Sequence, residues 1–252
     1  SENNIKPYDE KSHKGIVRHI LTRIGFKTGE IMICVVGNSK KMPCADKLIE
    51  KFKHIEGITS IVFNENREKT NVILGNKVTT LYGKDYITDY IGDIKFEISP
   101  LSFFQVNPIQ TQKLYQKALD LADINENDSV IDIYCGIGTI SLFFAKKAKS
   151  VLGVEIIPEA IEDAKRNAKI NGFTNTRFEV GKAEEVIPAL YKNECINADV
   201  VVVDPPRKGC DIAVLETISN IKPKKLVYIS CDPATMARDL KYLNENGFKI
   251  EE

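Results

Sequence analysis

A thiol, an acid held between prolines, a glycine turn and a strand-end acid are the residues of this chain equipped for chemistry. Cys231 stands in Ser230-Cys231-Asp232-Pro233, between a β-branched run and a stretch with helical spacing. A thiol at a helix start sits where the helix dipole lowers its pKa, and a thiolate is a nucleophile. A lone cysteine is by default a buried, inert one, but the neighbouring motifs argue against that default here. Asp204-Pro205-Pro206-Arg207 follows an apolar run. Two prolines fix the backbone and remove two N–H donors, so the loop is stiff and its carboxylate is held in place. Asp132-Ile133-Tyr134-Cys135-Gly136-Ile137-Gly138 places glycines where a backbone turn can approach a bound ligand. Ser141 replaces the third glycine of the dinucleotide fingerprint, so the turn alone is a weak signal. Glu155 lies 17 residues after Gly138, where an acid can accept hydrogen bonds from both hydroxyls of a ribose.

These residues need a scaffold, and the pattern around them supplies one. Strand-like runs at 130–135, 151–156, 177–180, 198–204 and 225–230 alternate with helical patterns at 139–148, 158–171, 183–191, 211–220 and 233–246. The run 198–204 is uninterrupted and β-branched, as a buried parallel strand requires. The alternation predicts a Rossmann-like, doubly wound, mostly parallel α/β sheet with the four motifs at the carboxyl ends of its strands. A further helix is expected over 108–122, with proline in its first turn.

Residues 1–98 read as a separate small α/β domain, and 99–252 as the domain carrying the motifs. In the first, strands are expected at 16–25 and 31–37 around a hairpin-like turn, a helix at 45–54, and strands at 58–64 and 71–74. Short strands follow over 78–98, turning at Gly83 and Gly92.

The chain has 252 residues with 35 basic and 35 acidic side chains, which excludes a globally basic nucleic-acid binder but not a local basic face. Residues 1–98 carry 16 basic and 13 acidic residues, and 99–252 carry 19 and 22. Within 11–27, Lys11, Lys14, Arg18, Arg23 and Lys27 occur without an acid, which reads either as a solvated hairpin face or as a strip touching phosphates. The six cysteines lack zinc-like spacing, no apolar run reaches membrane-spanning length, and the polar start lacks the core of a secretory signal. A reducing, cytoplasmic setting is expected, with no metal, no membrane and no protein partner inferred.

The acid-Pro-Pro form after the fourth strand is associated with S-adenosyl-L-methionine (AdoMet)-dependent methyl transfer to nucleobases or amides. A nicotinamide dehydrogenase explains neither it nor Cys231. SFFQVN (102–107), DIYCGIGT (132–139), VDPPRKGC (203–210) and ISCDPATMARDL (229–240) resemble the RumA/TrmA-type RNA (uracil-5-)-methyltransferases. The resemblance covers 99–252 through specific motifs and 1–98 more loosely. It implies AdoMet contacts from Gln105, Tyr134, Glu155 and Asp204, a Cys231 nucleophile, and Phe103, Asp204 and Arg207 near the target base. It implies an RNA partner and leans to bacterial 23S ribosomal RNA over transfer RNA.

Two family features are absent from the sequence. The oligonucleotide-binding domain and cysteine-ligated iron–sulfur cluster of many relatives have neither the length nor the cysteine spacing here. The family's general base, a Glu, stands in a motif that follows the last helix, whereas this sequence stops at Glu251-Glu252, where a sixth strand is expected to start. The sequence therefore reads as part of a longer enzyme, able to bind AdoMet but turning over poorly alone. The alternatives are an RNA (cytosine-5)-methyltransferase, whose cysteine would stand where Arg207 is and for which Cys210 comes three residues late. An N-methyltransferase using only the acid-Pro-Pro loop and a non-catalytic RNA-binding module complete the set.

Overall fold

The computed structural model describes residues 5–251. The chain forms two compact units that part between Ser102 and Phe103. In the first unit, β1 (Val17–Ile24) and β2 (Ile31–Gly37) form an antiparallel hairpin. Helix α1 (Ala45–Phe52) leads to β3 (Ile58–Glu65), which lies parallel to β2, and β4 (Lys77–Gly83) pairs antiparallel with β3. Leu48 and Phe52 of α1, on the helical spacing seen in the sequence, pack on Ile33, Val35, Met42, Ile61 and Phe63. Strands β5 (Ile87–Ile91) and β6 (Ile94–Ile98) form a second hairpin around Gly92-Asp93, with Gly92 at φ 64. The boundary expected at 98/99 falls at the end of β6.

One expectation for this unit is corrected. Residues 71–74 form no strand. Their carbonyls and those that follow are taken by side chains instead. Asn66 Nδ2 donates to Val72 O at 2.7 Å and Ile73 O at 3.0 Å, and Asn64 Nδ2 donates to Gly75 O at 2.6 Å. The basic strip at 11–27 is also divided. The Arg18 side chain is 1% exposed, stacks over the Tyr8 ring at 4.6 Å, and donates to Glu68 O and Thr70 O at 2.7 and 2.9 Å. Arg23 donates to Pro100 O and Ser102 O at 3.1 and 2.7 Å, and Lys27 Nζ to Gly92 O at 2.5 Å. These three cations hold carbonyls of their own unit, while Lys11, Lys14 and Lys27 are exposed.

In the second unit, α2 (Pro108–Ala122) starts where Asn107 accepts from the Gln110 N–H and proline fills the first turn, as expected. The elements then alternate: β7 (Ser129–Ile133), α3 (Thr139–Ala145), β8 (Ser150–Glu155), α4 (Pro158–Ile170) and β9 (Thr176–Val180). They continue with α5 (Ala183–Glu194), β10 (Val200–Val203), α6 (Ile212–Ile221), β11 (Lys225–Tyr228) and α7 (Pro233–Glu245). All five strands are parallel, in the order β11-β10-β7-β8-β9. The chain runs outward from β7 to β9, then returns to the other side of β7 with β10. That reversal makes a switch point between β7 and β10, where open α/β sheets bind ligands. Val200–Val203 is buried at every residue, with Ile131, Ile133, Val214, Leu215 and Ile218 packed in the same core. Residues 248–251 form no strand, so the sixth strand expected there is not seen, and Glu252 lies outside the described residues.

Candidate active site

The carboxyl ends of β7, β8, β10 and β11 bring the sequence motifs to one edge of the sheet. After β7 the chain turns sharply. Tyr134 has φ 72, Gly136 φ 55 and Gly138 φ 81. A bulky non-glycine residue with positive φ is rare and marks strain that surrounding contacts must hold. Here the Tyr134 and Cys135 N–H groups both donate to Val154 O, at 2.9 and 3.0 Å. A Cβ on Gly136 would meet nothing within 4 Å, whereas one on Gly138 would sit 3.3 Å from the Ala164 Cβ. The turn is thus open to a ligand at Gly136 and packed against α4 at Gly138.

Glu155 ends β8 and clasps this turn. Its Oε2 accepts from the Gly136 N–H at 3.2 Å and its Oε1 from the Ile157 N–H at 3.0 Å. Each oxygen keeps a lone pair for a further donor. Asp204 follows β10 and is half-buried, and burial pushes its carboxyl up to about 6. Asp132, inside β7, is 1% exposed. Its Oδ2 accepts from the Ser141 hydroxyl at 2.6 Å, while its Oδ1 has no hydrogen-bond partner. Burial first, then the charges of Asp204 and Glu155, push the Asp132 carboxyl up to about 7. Three acids thus converge at the switch point, and one of them presents an orphaned buried oxygen.

Gln105 is half-buried in the segment before α2. It interacts with the buried Tyr115 hydroxyl, which also lies 3.1 Å from Thr139 Oγ1 and feels the charges of Asp204 and Asp132. Burial raises the Tyr115 phenol. Tyr115 was not singled out in the sequence, although its place among Thr111, Ala118, Leu119 and Ala122 on the buried face of α2 implies a partner for its hydroxyl. Phe103 is 73% exposed, and Arg207 is exposed in the loop after the prolines.

Cys231 is exposed, two residues before α7. The neighbouring strand ends hold this segment, since the Ile229 N–H donates to Val203 O at 2.8 Å. Asp232 caps α7, its Oδ1 accepting from the Ala234 and Thr235 N–H groups at 3.0 and 3.1 Å. Ser230 Oγ accepts from the Asp232 N–H and donates to Asp232 O, both at 3.0 Å, closing a tight turn around the thiol. Cys210, by contrast, is buried, and burial pushes its thiol up to about 12. Among the described residues no group of three or more His, Cys, Asp or Glu could hold a metal ion, and no helix is long and apolar enough to cross a membrane.

A parallel α/β sheet with a strained turn, an acid-closed second strand and an acid-Pro-Pro loop around its switch point defines a Rossmann-like domain of the AdoMet-dependent methyltransferase type. A family model described as tRNA (Uracil-5-)-methyltransferase matches residues 69–252, and the chain belongs to that family. It is 56% identical, over 98% of its length, to an uncharacterized RNA methyltransferase of Clostridium tetani, and 53% identical, again over 98%, to one of Oceanobacillus iheyensis. It covers 54% of each relative, so the chain spans about half the length of these curated relatives. The crystal structure of Pyrococcus abyssi tRNA (uracil-54, C5)-methyltransferase in complex with S-adenosyl-L-homocysteine superposes on all of this chain with a TM-score of 0.79 and 31% identity. The chain covers 58% of that protein.

Proposed function

We propose that this chain carries the AdoMet-binding and nucleophilic part of an enzyme that methylates a uridine of RNA at C5. The observation that carries the reading is the placement of an exposed Cys231 one strand over from a crevice walled by Asp132, Glu155 and Asp204. The crevice suits AdoMet. Three acids complement a cationic ligand, Asp132 Oδ1 awaits a donor, and Gly136 leaves room for close approach. Gln105, Tyr134, Glu155 and Asp204 would hold the cofactor, which when bound supplies a methyl group on a sulfonium. The P. abyssi relative was crystallised with the demethylated form of that cofactor.

Uracil C5 is too weak a nucleophile to take a methyl group unaided. The Cys231 thiolate adds to C6, forming an S–C6 bond while the C5=C6 electron pair moves onto C5 and O4. After C5 is methylated, a base removes the C5 proton, the C5=C6 bond re-forms, and the thiolate leaves. The target base must be unpaired to enter. Phe103, large and exposed, offers a surface on which a base can stack, and Arg207 and Asp204 of the Pro-Pro loop would contact the base as well. We give Glu251 no part as the base.

The sequence reading takes 23S ribosomal RNA as the substrate. Transfer RNA is the second reading, favoured by the name of the P. abyssi relative. Incubating the full-length protein with each RNA and AdoMet, then analysing nucleosides by mass spectrometry, tests both. The expected product is 5-methyluridine from one RNA, lost in Cys231→Ala. Formation of 5-methylcytidine, or full activity in Cys231→Ala, overturns the reading.

A further inference from the structure

The chemistry proposed above gives no part to a buried acid in the second turn of α7, Asp239, which lies within the stretch 229–240. Asp239 is 1% exposed, yet it lies on a helix that otherwise turns Leu243 to the core. Each of its oxygens is used twice. Oδ2 accepts from the Cys210 N–H at 2.8 Å and from the Tyr228 hydroxyl at 2.6 Å. Oδ1 accepts from Arg238 Nε at 2.8 Å and from its NH2 group at 2.7 Å. The same Arg238 group donates to Lys208 O at 2.9 Å and Cys210 O at 3.4 Å, and Thr235 Oγ1 donates to Arg207 O at 3.0 Å. The loop from Arg207 to Cys210 is therefore stitched to α7 at four backbone groups.

Gly209 shows how closely the two fit. Its φ is 78, and a Cβ there would lie 2.5 Å from Arg238 and 2.6 Å from Asp239 Oδ2. Only glycine meets both demands, the positive φ and the close approach. The geometry of these contacts joins two separate pieces of the site. One end of the loop carries Asp204 and Arg207. The amino end of α7 carries the Cys231 turn. A buried carboxylate bonded at both oxygens, with an exposed guanidinium as one of its partners, is weak evidence for stability, but it defines one arrangement sharply.

We propose that Asp239, together with Arg238, is a positioning residue. It holds the Arg207–Cys210 loop against α7 and so fixes the Cys231 thiol and Arg207 in a single geometry for attack on the base. This rests on the function proposed above. In Asp239→Asn an amide nitrogen must face either the Arg238 guanidinium or the Cys210 N–H, donor against donor, and the loop shifts. A misplacement of about 1 Å costs about 100-fold in a rate that depends on alignment. Arg238→Lys keeps the charge but cannot span Asp239 and Lys208 O, and because Arg238 is largely exposed this variant keeps its fold.

The test is the rate at which the full-length protein forms a covalent complex with 5-fluorouridine-substituted RNA. It is read beside S-adenosyl-L-homocysteine affinity and the unfolding midpoint of the same preparations. Expected is a loss of about 30- to 100-fold in trapping rate in Asp239→Asn and Arg238→Lys, with affinity within about fivefold of wild type and the Arg238→Lys midpoint unchanged. Unchanged trapping, or a loss that only tracks affinity and folded fraction, overturns the proposal. Absence of any complex with wild type would instead refute the parent reading, and this one with it.

Discussion

Replacing Asp132 by Asn isolates the cost of an acid buried within a strand. The Asp132 carboxyl, 1% exposed and facing Asp204 and Glu155, is pushed by burial from 3.8 up to about 7. A group whose pKa is raised on folding favours the folded state below its unfolded pKa. That advantage is lost as pH rises through the folded value. Between pH 5 and pH 7 the unfolded chain is already ionised while the folded chain is losing its proton. With one pKa unit worth about 1.4 kcal/mol, the full shift amounts to about 4 kcal/mol, and about 2 kcal/mol of it falls between pH 5 and pH 7. Asn is neutral throughout, and its side-chain oxygen can still accept from the Ser141 hydroxyl. The stability of Asp132→Asn relative to wild type should therefore rise by about 2 kcal/mol from pH 5 to pH 7. Urea unfolding of ligand-free protein at the two pH values, followed by a probe in the second unit, measures this. A difference that stays constant with pH, or shrinks, would refute the burial account of the site's acids.

Three further outcomes are expected. AdoMet affinity should strengthen by roughly tenfold from pH 5.5 to 7.5 as Asp204 and Asp132, raised to about 6 and about 7, become anionic toward a cation. Calorimetry should show a smaller gain for S-adenosyl-L-homocysteine, which lacks the sulfonium, and a flat profile for AdoMet would contradict the charge argument. Glu155→Ala should weaken S-adenosyl-L-homocysteine about 10- to 100-fold, because it removes acceptors for the ligand and releases the Gly136 and Ile157 N–H groups. Arg18→Ala should destabilise the first unit by about 1 to 2 kcal/mol by removing a buried side chain that stacks on Tyr8 and bonds the Glu68 and Thr70 carbonyls, yet leave the salt dependence of RNA binding unchanged. A reduced salt slope in that variant would return Arg18 to the phosphate-contacting strip.

The second unit was readable from sequence because its signals are local and agree with one another. The valine run of β10, the Asn107-Pro108 start of α2 and the strand–helix alternation all depend on neighbours in the chain. In the first unit the departures come from side-chain hydrogen bonds that the local pattern does not show. The apolar run 71–74 has strand composition, but Asn64 and Asn66 take the carbonyls a ladder would use. Arg18 and Arg23 look like part of a surface strip until carbonyls up to 79 residues away claim them. Within the site, Asp132 and Asp239 each carry a signal in the sequence. Each is an acid at a position that its strand or helix turns inward, and such an acid requires partners. Which partners they would find could not be read from spacing, because Ser141, Tyr228 and Arg238 reach them only through the packed fold.

The central claim is that Cys231 attacks the base. Fluorine at C5 prevents the final elimination, so the full-length protein, AdoMet and 5-fluorouridine-substituted RNA should yield a stable protein–RNA complex. Mass spectrometry of its digest should find a methylated fluorouridine on the peptide containing Cys231. A complex attached at Cys210 or elsewhere, or undiminished complex formation by Cys231→Ala, would contradict the account.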